Sequence, residues 1–175
     1  LASGARLTEA DIELLLGTRD LTGLGILAAG ERRRRHGDRT TFVRVADIEV
    51  GDEPLAPWVQ FPAAAREVRV CGTPDNLNGA VAFVRSVALA SRGIPVSGFS
   101  LADLEALCAA ENLTLVDVLR RLREAGLEHV AEAPVDRLTH AETAFQAAQA
   151  AAVPITRVTI QQAGEGIPLH LFRKV

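Results

Sequence analysis

Between residues 40 and 162, five short segments of strand character alternate with helical stretches, and no other feature constrains the fold as tightly. The segments are TTFVRVADIEV (40–50), EVRVCG (67–72), IPVSGFS (94–100), LEHVAEA (127–133) and PITRVTIQQ (154–162). Strands separated by helices read as βαβ units, which lay their strands parallel in one sheet through right-handed crossovers. Helices are expected near 9–17, 20–36, 76–92, 101–110, 115–125 and 140–151. Four starts carry an S/T-x-x-D/E pattern: Thr8 with Asp11, Ser100 with Asp103, Thr114 with Asp117 and Thr139 with Glu142. In such a box the hydroxyl accepts an orphan amide and the carboxylate reaches back to the cap. Asp75 is placed to cap the helix LNGAVAFVRSVALAS, and Gly37, Gly93 and Gly126 mark helix ends. The stretch 51–65, GDEPLAPWVQFPAAA, has three prolines and no helical period, so it reads as a loop.

Length then limits the architecture. A closed eight-unit barrel takes roughly 250 residues, and this chain has 175. The expected fold is therefore α/β: a partial, open TIM-like barrel of about five parallel βα units over 40–175, after an N-terminal helical extension over 1–39. Hydrophobic residues make up 48% and aromatic ones 4%, so the core must be built from Ala, Val, Leu and Ile. An open parallel sheet has two free edges and two faces to cover, which predicts a homodimer with the first helices or the apolar tail Ile167 to Val175 at the interface.

Charge and cysteine usage exclude several classes. A net charge of −3 gives no pull toward nucleic acid or an anionic membrane surface. The run Arg32 to Arg35, with His36, lies in the last turns of a helix, where positive charge complements the dipole. No apolar run approaches the ~20 residues of a membrane span. Two cysteines and no secretion signal point to a reducing cytoplasm. The chain opens on Leu1 and contains no Met, and its tail resembles the start of another element; a trimmed start and an end in mid-pattern are the expectation.

Candidate site residues follow from the strand ends, where functional groups gather in barrel-like folds. Cys71 sits at the end of the second strand, with Gly72 after it. A reactive thiolate needs a cation or a helix N-terminus nearby; a free cysteine is more often a small buried hydrophobe. Ser97, Glu132 and Gln161, near other strand ends, complete the candidate ligand-binding set. Cys108 lies on the apolar face of its helix and reads as packing. Asp47, Glu49, Asp52 and Glu53 offer oxygen ligands of the kind calcium or magnesium prefers, but an acidic solvated loop is the commoner meaning of such a run. His36, His129, His140 and His170 lack metal spacing, and no nucleophile elbow, P-loop or dinucleotide fingerprint is present.

The stretch LTEADIELLLGTRDLTGLGILAAGERRRRHGDRTTFVR (7–44) and the stretch GFSLADLEALCAAENLTLVDVLRRLREAGLEHV (98–130) resemble the menaquinone-pathway branch of the radical S-adenosylmethionine enzymes. That branch contains aminofutalosine synthase and dehypoxanthine futalosine cyclase, with the FO synthases as close relatives. The resemblance covers about Leu7 to Val45 and Glu67 to Val130, with weaker agreement to Gln161. Its most specific pieces are R-x-x-H-G-D (Arg33 to Asp38) and L-R-E-A-G (Leu122 to Gly126), neither of which is catalytic in itself.

The resemblance implies a four-iron, four-sulfur cluster held by a C-x-x-x-C-x-x-C loop after the first strand, and this chain departs from it there. The matching stretch runs Asp47, Ile48, Glu49, Val50, Gly51, Asp52, Glu53 and carries no cysteine. Cys71 and Cys108, in different elements, cannot replace ligands that normally lie at short spacing. The glycine pair that lies near the amino group of S-adenosylmethionine is reduced to Gly72, and the later glycine cluster is replaced by Glu132, Ala133 and Pro134. The sequence-based expectation is a non-catalytic, cluster-less relative with no cofactor, acting as a binding or assembly partner linked to futalosine-route menaquinone biosynthesis. Its partner is a second copy or an intact family member, and a small-molecule ligand is compatible with it. The alternative is an enzyme with repurposed cavity chemistry that uses Cys71, Glu132 or Gln161 on a small metabolite.

Overall fold

The computed structural model describes residues 7–161, and the chain divides between Phe42 and Val43 into two units. The tail Ile167 to Val175, His170 and the end of the fifth expected strand lie outside the described residues.

The first unit holds helix α1 (Glu9–Gly17) and helix α2 (Leu21–His36). Thr8 and Asp11 form the expected capping box: the Thr8 hydroxyl accepts the Asp11 amide, and the Asp11 carboxylate accepts the Thr8 amide at 2.9 Å. Asp20 caps α2 by accepting the Gly23 amide at 2.8 Å. Gly37 ends α2 at φ 62°, donating its amide to the Arg33 carbonyl. Glu31 accepts both Arg34 Nε and a terminal nitrogen of Arg34 at 2.8 Å, and it also accepts Arg35. These guanidinium partners hold its carboxyl down to about 2.

The second unit runs β1 (Val45–Glu49), β2 (Glu67–Cys71), α3 (Leu77–Ser91), β3 (Val96–Ser100), α4 (Leu101–Glu111), α5 (Leu115–Ala125), β4 (His129–Pro134), α6 (Ala141–Ala151) and β5 (Val158–Thr159). All five strands are parallel and lie in chain order, β1-β2-β3-β4-β5. Register is set by the alternation in β2. Val68 and Val70 are fully buried, whereas Glu67, Arg69 and Cys71 face the other way and are half-buried. A one-residue slip would put the charged set into the core.

Helix α3 packs on β2 and β3, helix α4 on β3 and β4, and α5 packs against α3, α4 and α6, so that all four helices share one core with the valines of β2. In α5 the buried residues Val118, Leu119, Leu122 and Ala125 make one stripe. Gly126 ends α5 at φ 114°, and a Cβ there would stand 2.5 Å from that of Ala88 on α3. The helix pair therefore needs glycine twice over, for conformation and for space.

Three expected caps differ. Asn76, not Asp75, caps α3 by accepting the Gly79 amide at 2.8 Å. The start of α3 is also tied across the fold, where the Leu77 amide donates to Glu111 of α4. At α4 the Ser100 hydroxyl takes the Ala102 amide, while Asp103 turns to Arg137 at 3.3 Å. The helix begins directly after the strand, and a long-range ion pair outcompetes the local box. At α6 the cap position is His140, without a side-chain bond, and the Thr139 amide that Glu142 was expected to accept donates to Glu105 of α4.

The segment between β1 and β2 contains no helix, as its prolines predict. It takes the place of a crossover helix all the same. Leu55 and Phe61 pack against the core, and the Leu55 amide donates to the Ser86 hydroxyl of α3 at 2.7 Å. The first and last strands are shorter than expected. β1 starts at Val45, and β5 is two residues long with an isolated bridge from Ile155 to Val130.

Candidate functional site

Parallel strands in chain order present all their C-terminal ends on one side of the sheet. There β2, β3 and β4 enclose a cavity of about 130 Å³ whose wall includes Arg69, Cys71, Gly72, Glu132, Asp103 and Arg157. Three residues chosen from the sequence, Cys71, Gly72 and Glu132, meet in this cavity. Gln161 joins them indirectly, donating its side-chain amide to Glu132 Oε1 at 2.6 Å. Ser97 does not line it. Its position pairs with Arg69, below the rim, and its buried hydroxyl donates to Glu67 Oε1 at 2.6 Å.

The arginines and Asp103 are the residues that the sequence reading missed. A signal for Arg69 was available: in Glu67-Val68-Arg69-Val70-Cys71 the period of two puts Arg69 on the same face as Cys71. Arg157 and Asp103 come from β5's approach and α4, and only the tertiary fold brings them to the rim.

The charges here are paired. Arg157 meets Glu132 at 3.4 Å, Arg137 meets Asp103 at 3.3 Å, and Arg69 meets Glu67 at 3.1 Å and Asp47 at 3.8 Å. Arg69 Nε is buried and has no acceptor, an arrangement that leaves one donor of this guanidinium unused. Phe99, also in the wall, is buried at φ 59°. A bulky residue in the left-handed region is strained by about 1–3 kcal/mol. The kink falls between the pairs Gly98–Val130 and Ser100–Glu132, and it shapes the cavity floor.

Burial pushes the Cys71 thiol up, and the nearby carboxylates of Asp47 and Glu49 push it further; Arg69 opposes them only in part. Its Sγ donates weakly to the Arg69 carbonyl at 3.8 Å. A thiol held protonated beside carboxylates is a poor nucleophile. Cys108 lies buried in the core as expected, and burial pushes its thiol up to about 11.

The cluster implied by the resemblance does not fit these residues. The end of β1 presents Asp47 and Glu49, and the two thiols lie on β2 and in the core. Among the described residues, no three His, Cys, Asp or Glu side chains are grouped to hold a metal ion. The acidic run Asp47 to Glu53 is drawn partly into the Arg69 network.

No protein-family model matches the chain, and no curated protein matches it. The class that its fold defines is an α/β protein with a five-stranded all-parallel sheet and six helices among the described residues. None of those helices is long and apolar enough to cross a membrane.

Proposed function

We propose that this protein is a non-catalytic relative of the radical S-adenosylmethionine enzymes of the menaquinone branch, a partial barrel that serves as a binding or assembly partner. The observation that carries this reading is the placement of Asp47 and Glu49 beside Cys71. Carboxylates stand at the strand end where the family needs thiolates, and they disfavour the one thiolate within reach. The strand order, with each strand next to its chain neighbour, is the order of consecutive units in a barrel and supports the architecture.

The cavity is suited to recognition. Its guanidinium and carboxylate groups are fixed by mutual ion pairs, so a small polar ligand would meet pre-oriented donors and acceptors without a nucleophile and base in line. A location in the cytoplasm and a link to the futalosine route belong to the same reading.

Calorimetry with millimolar S-adenosylmethionine tests it. The expected result is no saturable heat, because both the iron anchor and the glycine pair are missing. Micromolar binding would favour the enzyme alternative at once.

A further inference from the structure

The first unit carries apolar surface that its own two helices do not cover. Leu14, Leu21 and Ile26 are 75%, 76% and 68% exposed, and Ile12 and Leu27 are exposed as well. No residue of α2 is buried. Among the described residues α1 and α2 make at most a marginal contact with each other, and an apolar hollow of about 380 Å³ lies in the elbow between them. Of these exposed side chains Leu14, Ile26 and Leu27 line the hollow, and an exposed apolar hollow of this kind marks an interaction surface.

Charge identifies the occupant. Residues 7–20, which include α1, carry four acids against one arginine, and residues 21–39, which include α2, carry five arginines against two acids. Glu9, Asp11 and Glu13 lie in the first half of α1 and Arg32 to Arg35 in the last turns of α2, both away from the turn between the helices, where Asp20 lines the hollow. In a two-fold dimer the same patch meets itself, and a contact of the acidic segment of one copy with the basic segment of the other then occurs twice. An arm that is acidic on one helix and basic on the other is complementary to its own copy in that arrangement. Glu31 already neutralises Arg34 and Arg35 within α2, while Arg32 makes no hydrogen bond or ion pair among the described residues. Arg32 is therefore available to a second chain.

We infer that the α1–α2 arm is a homodimer interface, in which the apolar elbows of two copies pack together and α1 of each copy lies against the basic half of α2 of the other. The inference is independent of the radical S-adenosylmethionine-like reading, since it uses only the arm.

Light scattering after size exclusion of the full chain tests the assembly. Two 18.6 kDa chains per particle are expected from low to high micromolar concentration. Leu14→Asp with Ile26→Asp, two residues that line the hollow, should raise the dimer dissociation constant about 100-fold, on the scale of a few kcal/mol for two large apolar side chains. Thermal unfolding of the second unit should stay unchanged in that variant, which separates lost docking from lost folding. A monomeric wild type, or a dimer indifferent to this variant, overturns the inference.

Two charge-reversed variants test the pairing. Glu9→Arg with Glu13→Arg makes both helices basic, and Arg32→Glu with Arg33→Glu makes both acidic. Each alone should be monomeric at low salt, and mixing them should restore a dimer that molar salt weakens. If either variant self-associates like the wild type, or if the mixture stays monomeric, the proposed pairing of α1 with α2 is wrong.

Discussion

Ser97 donates its hydroxyl to Glu67 Oε1 at 2.6 Å, joining β3 to β2 on the face of the sheet opposite the helices. The same carboxylate oxygen accepts Arg69 at 3.1 Å, so one half-buried carboxylate binds a neutral and a charged donor together. Ser97 is thus a strut of the sheet, beneath the cavity it was expected to line.

Replacing Ser97 by Ala removes a bond to a charged acceptor in a buried place. The expected cost is about 1–3 kcal/mol of unfolding free energy, read as a lower denaturation midpoint at unchanged slope. A change within a few tenths of a kcal/mol would mean that water replaces the hydroxyl without loss.

Cys71 should react slowly with iodoacetamide at neutral pH, and its rate should rise at higher pH than for a free cysteine. The sign follows from the cause: burial and the charges of Asp47 and Glu49 favour the protonated thiol, so the thiolate forms only as pH climbs. Asp47→Asn removes one of those charges and should shift the rate profile toward lower pH. A wild-type profile below that of free cysteine would contradict this electrostatic picture.

Glu132 holds the short last strand. Its carboxylate accepts Gln161 and pairs with Arg157, which flank β5 on either side. Glu132→Ala should speed amide exchange over 155–161 by about tenfold or more, as two charge-assisted contacts are lost. Exchange in β2 and β3 should not change. Acceleration throughout the sheet would show that Glu132 supports the whole core instead.

Gly126→Ala tests the tightest helix contact. The positive φ and the 2.5 Å approach to the Ala88 Cβ both penalise a methyl group. A loss of about 2–3 kcal/mol is expected, or roughly 5–10 °C in melting temperature for a unit of this size. An unchanged melting temperature would mean that α3 and α5 can move apart freely.

Much of this fold was legible because local signals agree with one another. The alternation of Val68 and Val70 with Glu67, Arg69 and Cys71 marks a strand with one apolar face, and the Thr8–Asp11 and Thr114–Asp117 pairs start helices where expected. What differed were caps for which other partners took over: Asn76 replaced Asp75 at α3, and distant side chains intervened at α4 and α6. Asp103 went to Arg137, and Glu105 claimed the Thr139 amide. Such choices depend on which helix ends meet in space, and one sequence position cannot carry that information. The site was half legible for the same reason. Strand ends name Cys71, Gly72 and Glu132, whereas Arg157 and Asp103 reach the cavity from elements far apart in the chain.

On the reading proposed above, this scaffold is expected not to hold an iron–sulfur cluster. Anaerobic reconstitution with iron and sulfide, followed by desalting and an absorption spectrum, is the decisive measurement. A colourless protein with no stoichiometric iron is expected, because the β1 end offers Asp47 and Glu49 and the two thiols lie on different elements. A brown protein that retains four irons per chain would contradict it.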